Sequence, residues 1–104
     1  MKSNRARPTS KELVREMRGG EPYEYYPLGR HVVVAPGVCG GRPTFKYTRI
    51  EVAFVLDLLA AGWSIEKVTR EYKASKLSAA AIKESIEIAK KALVQSSSVL
   101  QLVA

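Results

Sequence analysis

From residue 50 onward the apolar residues recur at three- and four-residue spacing, the period of an amphipathic helix. Val52, Val55, Leu56 and Leu59 form one face, Thr48 and Glu51 have capping-box spacing at its start, and Gly62 supplies a left-handed stop. Ser64 is placed to cap a second, shorter helix ending near Lys73, with Ile65, Val68 and Tyr72 inward and Glu66, Lys67, Arg70 and Glu71 toward water. Ser78 caps a third and longest helix, whose Ile82, Ile86, Ala89 and Leu93 make a continuous stripe opposite Lys83, Glu84, Lys90 and Lys91. Upstream, the β-branched run His31–Val34, closed by Ala35-Pro36-Gly37, predicts a short buried strand. Its partner is sought in Arg42–Ile50, beyond a glycine-rich tip, with Pro43 confining that segment to a sheet edge or a first strand position. Pro22 and Pro27 forbid a helix around Tyr23, Tyr25 and Tyr26, so Glu21–Pro27 reads as a tether or edge strand. Before it, Thr9 and Glu12 at capping-box spacing, an apolar face of Leu13, Val14 and Met17, and Gly19-Gly20 predict a helix of one or two turns.

These elements make an α+β chain, mostly α: a short β-hairpin followed by a three-helix, helix-turn-helix-like unit. Residues 1–30 form an N-terminal arm, 31–94 the domain, and 95–104 an uncharged tail with an apolar tip. With 104 residues there is one core and no room for a large multi-substrate site. No run reaches the ~18–20 apolar residues of a membrane span, and no apolar segment of an export signal follows the basic start, so the expected compartment is the cytoplasm.

Charge changes the picture more than composition does. The net +7 is unevenly spread: +4 over residues 1–20, +2 over 21–49 and +1 over 50–104. A basic front half can track a phosphate backbone, and it can equally be a solvated tail. Catalytic chemistry finds no constellation: His31 and Cys39 lack a third orienting group, and Glu51, Asp57, Glu66, Glu84 and Glu87 are spaced along solvent faces without a converging pair. Cys39 reads as a turn residue and Trp63 as an anchor at the junction of the first two helices. The glycine-rich tip lacks the Gly-Lys-Ser/Thr of a phosphate loop. The expectation is therefore a non-enzyme without cofactor or metal.

A helix, a tight turn, a short capped helix and a longer helix are the parts that present one helix to a major groove. The groups placed for DNA are Lys76, Ser78 and Lys83 about the start of the third helix, Arg49 at the hairpin–helix junction, and Arg5 and Arg7 in the basic arm. Arg49 has a structural alternative, locking that junction through carbonyls and a carboxylate. The clustered tyrosines are expected to cover a core edge or a subunit contact rather than to stack on bases.

Cys39-Gly40-Gly41-Arg42-Pro43, Thr48-Arg49-Ile50, Leu59-Ala60-Ala61-Gly62-Trp63-Ser64-Ile65-Glu66 and Tyr72 together resemble the prokaryotic domain-of-unknown-function family four-thirty-three, over roughly residues 31 to 94. The resemblance implies a winged-helix-like or helix-turn-helix-like domain, similar in some members to VapB-type antitoxins encoded beside a PIN-type ribonuclease toxin. It implies binding, not catalysis: an antitoxin-like or transcriptional regulator module on double-stranded DNA. The alternative is a protein-interaction module that neutralises the toxin without touching DNA. Separately, the N-terminal segment or the C-terminal tail is expected to make the contact of a homodimer. Two positions depart from the family pattern. Tyr47 stands where a glycine usually precedes Thr-Arg-Ile, so a left-handed backbone there would carry a steric cost unless the turn is remodelled, and Tyr72-Lys73 replaces the common Tyr-Pro.

Overall fold

The computed structural model describes residues 12–103, with side chains described through Ser97. Arg5, Arg7 and Thr9 lie outside the described residues. Four strands precede three helices: β1 (Val14–Arg18), β2 (Glu21–Pro27), β3 (Val32–Val34), β4 (Thr44–Phe45), α1 (Val52–Ala60), α2 (Ile65–Glu71) and α3 (Ala79–Val103). The strands form one antiparallel meander in chain order.

The short N-terminal helix expected from Leu13, Val14 and Met17 is corrected to a strand. Val14 and Glu16 are half-buried while Arg15 and Met17 point out, a period of two, and each residue from Val14 to Arg18 pairs with one from Tyr25 back to Glu21. Gly19 (φ 59°) and Gly20 (φ 83°) both occupy the left-handed region. That is what a two-residue hairpin turn matching the strand twist demands, so the Gly-Gly pair folds β1 onto β2 rather than ending a helix. With β1 outside it, β2 is an inner strand and not an edge.

β3 divides the molecule. Val32 faces the main core, with Phe45, Val52, Val55, Val68, Leu77, Ala81 and Ile82. Val33, on the opposite face, joins Tyr25 and Ala35 in a second cluster backed by Val14, Tyr23 and Val38. The three helices touch one another and α3 touches β3, so the helical unit lies on one face of the sheet.

α1 ends as anticipated at Gly62 (φ 102°), where Trp63 N–H returns to the Leu58 carbonyl and Gly62 N–H to Leu59, both at 3.0 Å. Ser64 Oγ accepts the Lys67 N–H at 3.0 Å and Ser78 Oγ the Ala81 N–H at 3.1 Å, so both expected caps are present. Residues 72–78 between α2 and α3 contain a 3-10 turn, Lys73–Ser75, and Lys76 in the left-handed region (φ 58°).

α3 is helical through Val103, so residues 95–103 extend the rod instead of forming a separate tail. Its predicted stripe is split. Ile82 is fully buried, Ile86 is 37% exposed and Leu93 66% exposed, while Ala81, Ser85 and Ile88 share the inward side with Ile82. Among the described side chains of the rod, those seated on the core come from its first half. Among the described residues no helix is long and apolar enough to cross a membrane.

Candidate functional site

The turns on either side of β4 set the site. Arg42 forks onto Glu51, with Nε to Oε1 and Nη2 to Oε2 both at 3.0 Å, and this hydrogen bonding holds the Glu51 carboxyl below the usual carboxylate range. The capping box read from Thr48 and Glu51 is corrected accordingly: Glu51 makes no side-chain cap. Thr48 Oγ1 donates to the Phe45 carbonyl at 2.8 Å and accepts the Ile50 N–H at 3.0 Å, which closes the turn after β4 instead.

Tyr47 sits in that turn with φ 69°. The steric cost anticipated at this position is therefore present, and such strain persists only where surrounding contacts over-determine it. They come from the N-terminal hairpin. The Tyr47 N–H donates to Tyr23 Oη at 2.9 Å and the Tyr47 hydroxyl donates to Glu16 Oε1 at 2.7 Å. The Tyr23 and Tyr47 ring centroids are 5.3 Å apart, and the Arg18 guanidinium lies 3.9 Å from the Tyr47 centroid. Tyr25 donates its hydroxyl to the other Glu16 oxygen at 2.8 Å. The tyrosines thus cover the edge of a core, as expected, and also tie β1–β2 to the β4 turn.

Glu16 is held below the ordinary carboxylate pKa of 4.5, chiefly by the Tyr47 hydroxyl, then by the Tyr25 hydroxyl, with attraction to Lys46 and Arg18 adding to it. A carboxylate whose pKa is depressed on folding stabilises the fold above its unfolded value, and that stabilisation is lost as pH falls through the folded pKa. We expect the Tyr25 and Tyr47 ring resonances to titrate together below pH 4.5, and the transition to vanish in Glu16→Gln. Tyrosine rings that stay unmoved to pH 2.5 in the parent chain would contradict the linkage.

Between this hairpin and the start of α3 lies a cleft of about 660 Å³. Arg18 from the end of β1, Arg30 and His31 from the β2–β3 turn, Lys46 and Tyr47 from the β4 turn, and Lys76 before α3 line it, over a floor that includes Phe45 and Leu77. Four of these side chains are cationic and no carboxylate is among the lining residues. Glu84, beneath the turn that carries Arg30, is engaged by backbone: its Oε2 accepts the Arg30 N–H at 2.8 Å and its Oε1 the His31 N–H at 2.6 Å.

The structure brings together only part of the residue set read from the sequence. Lys76 and Ser78 line the cleft. Lys83 is exposed on α3 and does not line it. Arg49 borders a different, shallower cleft of about 420 Å³ with Glu51, Phe54 and Asp57, and its carbonyl accepts the Cys39 thiol at 3.2 Å. The junction lock envisaged for Arg49 is made by Arg42. Arg18, Arg30, Lys46 and Tyr47 were not legible as a group. The Gly-Gly pair between two alternating runs was the available signal, since it would have placed Arg18 beside a hairpin turn.

The family described as "Protein of unknown function (DUF433)" matches residues 32–87, more than half of the chain. The chain belongs to that family. No curated protein and no solved structure matches it. Arg18, Arg30 and His31 precede the matched span, so the cleft is built jointly by the family domain and by the hairpin in front of it.

Proposed function

We propose that this member of the DUF433 family is a non-catalytic DNA-binding module of the antitoxin or transcriptional-regulator kind, with a helix-turn-helix-like use of α3. The observation that carries the reading is the outward side of the start of α3. Lys76, Ser78, Ala79, Ala80 and Lys83 are all exposed there, and the acid in that stretch, Glu84, is half-buried and bonded to backbone. Cations, a hydroxyl and small side chains on one surface allow close approach to phosphates, whereas exposed carboxylates would repel them. Ala79 and Ala80 offer no side-chain hydrogen bond, so affinity on this reading is set mainly by backbone phosphates and only weakly by base sequence.

Lys76→Ala combined with Lys83→Ala should weaken binding to unrelated duplexes by a similar factor, on the order of 10-fold, and flatten the dependence of log affinity on log salt. Fluorescence anisotropy with two unrelated 20-base-pair duplexes between 50 and 200 mM salt reads both quantities. A parent chain that binds neither duplex at low salt removes the reading.

A second reading, neutralisation of a PIN-type ribonuclease by protein contact alone, is favoured by one feature: Leu93 stands 66% exposed where α3 leaves the core. Apolar surface of this kind serves a protein partner or a second copy of the chain better than it serves DNA. Copurification with a nuclease encoded beside it, undisturbed by Lys76→Ala and Lys83→Ala, would favour that reading.

A further inference from the structure

We infer that the cleft between the β1–β2 hairpin and the start of α3 is a phosphate-binding clamp that takes backbone phosphodiesters of the nucleic acid α3 approaches. The source of the phosphate rests on the DNA-binding reading; the site itself rests on four observations of its own.

The first is how the cations are held. Three basic side chains outside the cleft find acids: Arg15 pairs with Glu24, Arg42 with Glu51 and Lys90 with Glu87. Arg18, Arg30, Lys46 and Lys76 form no ion pair with a carboxylate among the described residues. Two of them are parked on aromatic faces instead, Arg18 at 3.9 Å from the Tyr47 centroid and Lys46 at 4.9 and 5.0 Å from those of Tyr25 and Tyr47. A guanidinium lying on a ring keeps its N–H edge free for a planar pair of oxygens, and Glu16 attracts Arg18 and Lys46 without forming an ion pair with either.

The second is the shape of the field. The four cations come from four separate segments and converge on one concavity with apolar side chains in its floor, an arrangement that concentrates positive potential. The third is backbone strain. Cys39, Tyr47 and Lys76 are the non-glycine residues with positive φ among those described, and two of the three line this cleft. Strain held in place at one location is characteristic of binding sites. The fourth concerns the ligand. The Tyr47 face is already occupied by Arg18 and Phe45 is buried in the floor, so neither of these rings is offered to a base. Phosphate, not base, is the part of a nucleotide these groups suit, and a cleft wider than one phosphate suits successive phosphodiesters along a strand.

The test uses the full chain and two probes, a fluorescent 20-base-pair duplex and inorganic pyrophosphate. Arg18→Ala with Arg30→Ala should cut duplex affinity about 10-fold or more near 100 mM salt and lower the salt slope by about 2, one for each phosphate no longer neutralised. Arg18→Lys with Arg30→Lys should restore most of the slope, and Lys90→Ala with Lys91→Ala, the same loss of charge on α3 outside the cleft lining, should leave it unchanged. Pyrophosphate should shift the amide resonances of His31, Lys46 and Lys76 in the parent chain and not in the double alanine variant, whose melting curve confirms that it is folded. Unchanged duplex affinity and slope in a folded double alanine variant would overturn the clamp and leave the DNA reading standing. Pyrophosphate shifts in the cleft without any duplex binding would support the phosphate site and overturn the backbone source. Neither response in the parent chain would overturn both.

Discussion

Glu84→Ala should lower the melting temperature by roughly 10–30 °C, the largest side-chain effect we expect outside the hydrophobic core. Its two carboxylate oxygens accept hydrogen bonds from the consecutive Arg30 and His31 N–H groups at 2.8 and 2.6 Å, across more than 50 residues of sequence. Hydrogen bonds to a charged group contribute ~1.5–3 kcal/mol each, and water recovers part of that where the turn is exposed, which leaves a net loss of about 2–4 kcal/mol. In a domain of this size each kcal/mol moves the midpoint by ~4–8 °C. The approach is close enough that a Cβ on Gly29 would meet the Glu84 carboxylate at 2.8 Å. Gly29→Ala should therefore destabilise through the same contact, and adding Gly29→Ala to Glu84→Ala should cost less than the sum of the two. Additive melting shifts in the double variant, or a Glu84→Ala chain within 3 °C of the parent, would refute the grip. Glu84→Gln, which keeps one acceptor, should lie between.

This contact shows what kind of information the sequence carried and what kind it did not. The helices were legible because their signals are local: Ser64 and Ser78 cap the N–H groups three residues ahead, and Gly62 ends α1 with its own backbone. β3 was legible from three consecutive valines. β1 was missed because Leu13, Val14 and Met17 satisfy a helical spacing and Val14 and Glu16 satisfy a strand spacing, and the choice is settled by pairing with β2, a tertiary contact. Glu51 was assigned to Thr48, three residues away, when Arg42 on the preceding loop claims it with two bonds. Tyr47 is the instructive intermediate. Its strained backbone could be anticipated from the resemblance, but the hairpin groups that hold it, Glu16, Arg18 and Tyr23, lie 24 to 31 residues earlier. The cleft spans residues 18 to 81 and so leaves no local motif at all. Arg49 and Lys83 are basic and near element starts, a local property that carries no information on which basic groups converge.

Ile82→Ala and Leu93→Ala should differ by several kcal/mol although the two residues share one stripe in the sequence. Ile82 is fully buried and packs in the cluster that joins Val32 and Phe45 of the sheet to Val55, Val68 and Leu77. Truncating a buried isoleucine removes its transfer free energy and leaves a cavity, a cost of ~2–5 kcal/mol, and the upper half of that range applies where sheet and helices meet and neither side can collapse alone. Against a total stability of roughly 5–15 kcal/mol, that loss removes from about a quarter to nearly all of it. Leu93, 66% exposed on the projecting part of α3, should cost less than about 0.5 kcal/mol in the isolated chain. Urea titrations at low protein concentration measure both. A Leu93→Ala loss above ~2 kcal/mol would mean that the distal half of α3 is packed as firmly as the proximal half, and a loss that appears only as protein concentration rises would mean that a second copy covers it. The first result contradicts the seating of α3 described above; the second leaves that seating intact and makes the rod the dimer contact, with the cationic start of α3 repeated on each copy.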